Sequence, residues 1–202
     1  MSGRMAASGP GAVLVSRVGE ADGSRAIAAA LACAGSDPDR AALLLELTDG
    51  RAPRPALVAS AAARALEERL SVHLPEAAVA SRGALCHLTL PAVRESLDRV
   101  PAALPLVRDS LGVVLLPPGL LQPAAEAPGL RAGAVVLRAD LGRDRALTAL
   151  AVRDLIAHGV AVAVAKRPLA WVPSRRALFG ALPAGAPGGL PARMLRLVGR
   201  GP

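Results

Sequence analysis

The sequence is poor in aromatic residues and in lysine. Its 202 residues include one Phe, one Trp and no Tyr, and Lys166 is the single lysine among 24 basic residues. Proteins that bind single-stranded nucleic acid stack its bases on aromatic side chains, so this scarcity argues against nucleic acid as a partner. The net charge of +8 still permits contact with an anionic membrane surface or an acidic partner protein.

Cysteines and long apolar runs are also scarce. Cys33 and Cys86 lie in apolar stretches without metal-ligand spacing, so we expect buried free thiols rather than a disulfide or a metal site. No apolar run approaches the ~20 residues that span a bilayer. Residues 1–10 lack the apolar core of a secretory signal and are expected to be flexible. These features predict a cytoplasmic protein.

Six short apolar runs alternate with segments of helical spacing. Apolar runs without polar alternation predict strands that are covered on both faces. The runs are residues 12–15, 42–47, 84–90, 112–117, 134–139 and 160–165, and the helical segments are 24–34, 56–70, 92–108 and 143–158. This alternation predicts a three-layer, doubly wound α/β domain with a mostly parallel sheet over residues 11–182.

The last helical segment, 143–158, has a predicted buried face. Helical spacing allows Leu147, Leu150 and Leu155 to lie together on that face. The charged residues of the segment are then expected towards water, and they are Arg145, Arg153 and Asp154. After the domain, residues 183–202 are predicted to form a linker and a basic amphipathic tail.

Residues 11–32, GAVLVSRVGEADGSRAIAAALA, predict a strand, a glycine-containing loop and a helix. This is the layout of the Walker A loop, G-x-x-x-x-G-K-[ST], whose amides hold phosphates and whose lysine reaches the outer ones. Aligned on Gly23, the chain has Val18 at the first glycine, Ser24 at the lysine and Arg25 at the hydroxyl residue that holds magnesium. The layout is present, but these side chains are not.

Further segments follow in the order found in the MinD/ParA-like P-loop ATPases. LLLELTDG, with Glu46 as its first acidic residue, matches a strand of pattern VLLVDLD, and VVLLPPGL matches IIDTPPG. AGAVVLRAD and HGVAVAVAKRP match two later strands. Over residues 11–168 the chain resembles this family, including its divergent TadZ/CpaE-type members, in order and spacing. The resemblance implies a P-loop NTPase-like fold of the SIMIBI/MinD type.

The departures from the family pattern affect phosphate and magnesium binding. Leu115 corresponds to the Walker B aspartate, Gly19 to the signature lysine and Lys166 to an asparagine that contacts the base. Phosphoryl transfer depends on positioning and charge neutralisation. The resemblance therefore implies a pseudo-ATPase without enzymatic activity or cofactor, serving as a localisation or assembly factor for pilus, secretion or septum-placement machinery. Its implied partners are proteins, among them a secretion or pilus ATPase or a second copy.

The loop itself has two interpretations. Its free amides and helix dipole form a generic anion site, or Asp22 or Ser24 simply caps the helix. A competing function is a nucleotide-binding ATPase switch with an unorthodox phosphate site, in which residues such as Arg17 and Glu46 replace the lysine and aspartate. The residues assigned to the degenerate phosphate loop are Gly19, Gly23, Ser24 and Arg25.

Two other pairs of polar residues carry groups that are capable of chemistry. Glu46 and Asp49 follow the second strand, where ligands collect in α/β proteins, or they are ordinary loop carboxylates. Cys86 and His87 are not expected to form a nucleophilic pair, because adjacent strand residues point to opposite faces.

The C-terminal tail is amphipathic on a helical wheel. Apolar side chains cluster on one side and arginines on the other, which is typical of an interfacial membrane helix. The tail resembles the short membrane-targeting helix of MinD-type proteins and is expected to fold on contact. The alternatives are a disordered end or a helix docked on its own domain. The residues assigned to membrane or partner contact are Arg193, Met194, Leu195, Arg196, Leu197 and Val198.

Overall fold

Seven strands form one sheet in the computed structural model, which describes residues 12–21, 23–34, 39–49, 58–106, 112–127, 130, 132–158 and 160–165. The strands are β1 (Ala12–Arg17), β2 (Ala42–Leu47), β3 (Ala78–Arg82), β4 (Leu85–Leu90), β5 (Gly112–Leu115), β6 (Ala132–Arg138) and β7 (Ala161–Ala165). Their order is β3-β4-β2-β5-β1-β6-β7. Every neighbouring pair is parallel except β3 with β4.

Helices cover both faces of this sheet. They are α1 (Ser24–Ala34), α2 (Ala61–His73), α3 (Val100–Ala103), α4 (Pro118–Glu126) and α5 (Arg145–Ala157), with 3-10 turns at Arg94–Asp98 and Leu104–Leu106. The α1 side chains pack with Val13, Val15 and Leu44. The other four helices pack with Leu14, Leu43 and Leu45 on the opposite face. The predicted α/β class with a mostly parallel sheet and helices on both faces is confirmed.

Each predicted strand is present, but one further strand was missed. β3 pairs antiparallel with β4 at an edge of the sheet. It is short and only partly buried, because an edge strand has one neighbour and does not need apolar residues throughout. A two-residue turn at Gly83 joins β3 to β4, and Gly83 has φ +56°.

The helical predictions need two corrections. Over its described residues, 92–106, the predicted helix 92–108 is replaced by two 3-10 turns and the four-residue α3. The helix α4 was missed because Pro118, Gly119 and Pro123 are typical of loops. Proline is tolerated in the first turn, where its missing N–H has no helical partner, and Pro123 lies inside the helix all the same.

The predicted buried face of α5 is wrong for two of its three leucines. Leu147 and Leu150 are exposed, whereas Thr148 and Leu155 are buried. Thr148 can be buried because its hydroxyl donates to the Asp144 carbonyl oxygen at 2.7 Å. The charged residues lie towards water as predicted, and they are Arg145, Arg153 and Asp154. Among the described helices, none combines the length and apolarity needed to cross a membrane.

The connections at β1 and β5 leave a crevice at the carboxyl edge of the sheet. β1 continues into α1 on one face, while the adjacent β5 continues into α4 on the other. Ligands in open α/β sheets bind where neighbouring strands lead to opposite faces. The crevice is braced by the Ser16 hydroxyl, which donates to the Leu116 carbonyl oxygen at 2.9 Å.

Candidate functional site

The loop after β1 passes twice through the left-handed backbone region. Gly19 has φ +60° and Gly23 has φ +99°, values that residues with side chains rarely adopt. A Cβ added to Gly19 would lie 2.8 Å from the Cγ of Asp144. Glycine is therefore required at position 19 both by the backbone conformation and by the carboxylate packed against it.

A cleft opens at the carboxyl ends of β1, β2 and β5, beside the start of α1. Three residues of the cleft lie two positions beyond an apolar residue that packs on the α1 face of the sheet, and they are Arg17, Glu46 and Leu115. Because successive side chains of a strand point to opposite faces, all three lie on the α1 face. Leu115 is also the register partner of Glu46. The cavity measures about 150 Å³, and its lining is completed by Ser24, Arg25, Leu47, Leu116, Pro117 and Pro118.

Glu46 is the centre of a polar network that joins α1, β2 and β4. Its Oε1 accepts hydrogen bonds from Nε and Nη2 of Arg25, at 2.8 and 2.5 Å. Its Oε2 lies 3.0 Å from Nε2 of His87. Burial opposes ionisation of this carboxyl, but the hydrogen bonds from His87 and Arg25 and the Arg25 charge outweigh it, so the pKa of Glu46 is lowered. Glu46 is an ionised carboxylate with both oxygens bonded.

Two polar side chains of the cleft make no hydrogen bond or ion pair within the described part of the chain. They are the guanidinium of Arg17 and the hydroxyl of Ser24, both of them partly buried. Arg25 uses Nε and Nη2 for Glu46, which leaves its Nη1 without an acceptor among the same residues. The cleft therefore has N–H and O–H donors that can serve an incoming acceptor.

A second buried carboxylate, Asp144, lies on the β6 side of the loop. Its Oδ1 is 3.6 Å from Nε of Arg143, an ion pair that is too long for a hydrogen bond. Its Oδ2 is buried and has no hydrogen-bond partner among the described residues, an arrangement that is rare for a buried polar atom. Arg143 also lies 3.8 Å from the Glu20 carboxylate. The β6 side of the loop is thus richer in acidic groups than the cleft.

The structure separates the predicted loop residues into two groups. Ser24 and Arg25 line the cleft, whereas Gly19 and Gly23 shape the loop and do not line it. Ser24 is the first residue of α1, and Asp22, the other candidate cap, lies outside the described residues. Lys166 and the assigned tail residues lie outside them as well, and these tail residues are Arg193, Met194, Leu195, Arg196, Leu197 and Val198.

Sequence reasoning missed the contribution of His87 to the site. The sequence places Glu46, the partner of His87, at a strand end where ligands collect. His87 lies on β4, and no local sequence pattern identifies β2 as the neighbour of β4. The register of β2 with β4 supplies this information, because His87 lies opposite Leu44. Leu44 is two residues before Glu46, so His87 and Glu46 lie on the same face of the sheet. The alternation of side chains along β4 predicts the face of the sheet on which His87 lies. Its partner Glu46 can be identified only from the strand order, which makes β2 the neighbour of β4.

The cysteines lie on opposite faces of the sheet. Cys33 packs on the α1 side and Cys86 on the α2 side, and neither forms a disulfide, as predicted. Burial raises the pKa of the Cys33 thiol to about 11 and that of Cys86 to about 12. Cys86 and His87 point to opposite faces, as predicted. Within the described ranges, no three His, Cys, Asp or Glu side chains are grouped to hold a metal ion.

The site therefore consists of a small cleft at the switch in strand connections, two arginines, one hydroxyl and one partnered carboxylate. Donors of this kind can bind small anionic groups. No protein-family model matches the chain, and neither a curated protein nor a solved structure matches it.

Proposed function

We propose that the chain is a non-catalytic pseudo-ATPase similar to the MinD/ParA-like proteins, acting as a localisation or assembly factor through protein contacts. Pilus, secretion or septum-placement machinery is the proposed setting. The observation that carries the proposal is the Arg25–Glu46 pair, which spans the cleft between the start of α1 and the end of β2. It occupies the region where a nucleotide switch needs a free lysine and a magnesium ligand.

The position of the two motif-bearing strands supports a nucleotide-handling ancestry. A phosphate bound by the loop after β1 and a metal bound from β5 require these strands to lie close together. β1 and β5 are parallel, hydrogen-bonded neighbours, and β2 with Glu46 lies on the other side of β5. The loop after β1, Glu46 on β2 and the VVLLPPGL segment of β5 therefore meet at one edge of the sheet.

The side chains at this edge do not fit a nucleotide with magnesium. Leu115 is a buried apolar residue and cannot bind a metal ion, and Ser24 carries no charge to neutralise phosphate. The Asp144 carboxylate packs against the loop at Gly19, where it repels a phosphate. Transition-state charge on a phosphoryl group would meet little stabilisation here.

A calorimetric titration of the full chain with ATP, with and without Mg²⁺, tests the proposal. We expect no saturable binding up to about 1 mM nucleotide. Micromolar affinity that Gly23→Leu abolishes would overturn it in favour of the competing switch, with Arg17 and Glu46 as its charged groups. Gly83→Leu is the matched control, because Gly83 also has positive φ but lies in the β3–β4 turn.

The proposal extends to the basic tail, from its sequence alone. A tail with apolar residues on one side and arginines on the other binds anionic lipid through burial and charge together. In a liposome pelleting assay with anionic vesicles, deletion of residues 192–202 is expected to abolish sedimentation with the vesicles. Equal sedimentation of the full and truncated chains would end this part of the proposal.

A further inference from the structure

The cleft between β1, β2 and β5 has the features of a receptor for one acidic side chain of a partner protein. We infer that it binds a glutamate or aspartate carboxylate, with Arg17 and Arg25 as the binding residues. This inference deepens the proposed function and depends on it, because it names the chemistry of the partner. It uses donors of the cleft that no other part of the described structure employs.

The free donors of the cleft are of the kind that binds a carboxylate. A guanidinium presents five N–H donors in a planar fork that matches two carboxylate oxygens. Arg17 has all of its donors available within the described residues, and Arg25 has those of Nη1. The Ser24 hydroxyl and the N-terminal end of α1 add further attraction for negative charge.

Glu46 fixes the position and the net charge of this receptor. The bonds from Arg25 to Glu46 hold the exposed guanidinium at the rim of the cleft. One of the two arginine charges is thereby balanced, because Glu46 is ionised. The remaining charge of about +1 suits a carboxylate, while the several charges of a triphosphate would need more cations.

Size and the apolar wall point to a side chain rather than a nucleotide. The cavity of about 150 Å³ is smaller than the roughly 300–1,000 Å³ of typical small-molecule sites. One wall consists of Leu115 and the two prolines Pro117 and Pro118. This wall can contact the methylene groups of an acidic side chain while the carboxylate meets the arginines.

Fluorescence anisotropy with the full chain tests the inference. The probe is a labelled, capped peptide of alternating Glu and Ala, and the matched peptide has Gln in place of Glu. Arg17→Gln is the informative variant, since Arg17 makes no bond to another described residue and its loss should leave the fold intact. Arg17→Lys restores the charge, and Arg64→Gln, exposed on α2, is the control.

We expect the Glu peptide to bind and the Gln peptide to bind at least tenfold more weakly, since a charge-assisted hydrogen bond gives about tenfold or more. Arg17→Gln should weaken the Glu peptide about tenfold, Arg17→Lys less, and Arg64→Gln by less than about twofold. Unchanged binding in Arg17→Gln would overturn the inference, because the peptide would then be bound elsewhere, for example by the basic tail.

Titrations with acetate, inorganic phosphate and MgATP distinguish failure of this inference from failure of the proposed function. Acetate should displace the Glu peptide at lower concentration than inorganic phosphate does, and displacement by phosphate at far lower concentration would overturn the inference. Micromolar binding of MgATP would overturn the proposed function as well. Absence of both peptide and nucleotide binding would reject the acidic receptor and leave the pseudo-ATPase proposal standing.

Discussion

Two buried carboxylates at the carboxyl edge of the sheet, Glu46 and Asp144, differ in how they are paired. Glu46 accepts hydrogen bonds on both oxygens, from Arg25 and His87. Asp144 has one oxygen 3.6 Å from Nε of Arg143, and its other oxygen has no hydrogen-bond partner in the part of the chain that the structure describes. Arg25 and Arg143 have the same side-chain exposure, 57%, so the difference lies in geometry and not in access to water.

The two sides of this edge of the sheet differ in how completely their buried carboxylates are paired. A carboxylate bonded on both oxygens is stabilised as an ion and orients its partners, whereas an unpaired buried oxygen retains its desolvation cost. The β2 side therefore offers one oriented arginine, Arg25, to an anion. On the β6 side the Asp144 carboxylate packs against the loop at Gly19, and its negative charge repels an anion.

The largest expected effect comes from filling the space at Gly19. Gly19→Ala should cost about 2–4 kcal/mol of unfolding free energy, from left-handed backbone strain together with the clash with the Asp144 carboxylate. Gly83→Ala has the same sign of φ and no atom within 4 Å of the added Cβ, and should cost about 1–2 kcal/mol. Urea denaturation measures both, and equal costs would refute the clash.

Removal of each arginine tests the difference in pairing. Arg25→Met should cost about 1–2 kcal/mol, because it leaves the buried Oε1 of Glu46 without its donors and the pair is partly solvent-screened. Arg143→Met should cost under about 0.5 kcal/mol, since its ion pairs are long. Thermal and urea unfolding measure the loss of unfolding free energy in the two variants. A larger loss in Arg143→Met than in Arg25→Met would contradict the difference in pairing.

The pH dependence of stability should reveal Glu46. The pKa of Glu46 is lower in the folded state than its ordinary value of 4.5. The contribution of its ionised form to folding stability is therefore complete above pH 4.5 and is lost as the pH falls through the lower folded-state pKa. Glu46→Gln should therefore be less stable than the parent by about 1 kcal/mol at pH 7. Urea unfolding should show the gap closing below pH 4.5, and a gap that widens in acid would contradict this assignment.

The smallest effect is expected at Asp144. Asp144→Asn removes a buried charge that has one long ion pair, and asparagine suits the residue before a helix equally well. Its unfolding free energy should change by less than about 0.5 kcal/mol. A cost similar to that of Glu46→Gln in the same denaturation assay would show that the two carboxylates are equally well paired.

The sequence was informative wherever burial on two faces produced continuous apolar runs. Leu43, Leu45 and their neighbours predicted β2, and the alternation of such runs with helical segments predicted the α/β class. β3 was missed because an edge strand needs apolar residues on fewer sides. The face of α5 was assigned wrongly because Leu147 and Leu150 outrank Thr148 in hydropathy, while a hydrogen bond to the backbone allows the threonine to be buried.

The candidate site was predictable in part. The glycine loop and the arginine at the start of α1 are local features, and strand ends identified Glu46. The Arg25–Glu46–His87 network and the contact of Gly19 with Asp144 join residues that are distant in sequence. They depend on the order of strands across the sheet, which local spacing does not contain.

The most direct test of the account is an NMR titration of the isotope-labelled full chain with MgATP. The amides of Gly23 and Ser24 and the Nε–H groups of Arg17 and Arg25 report on the loop and the cleft. We predict no saturable shift at any of these groups up to about 1 mM MgATP. Shifts that saturate at micromolar MgATP would contradict the proposal that the chain is a pseudo-ATPase.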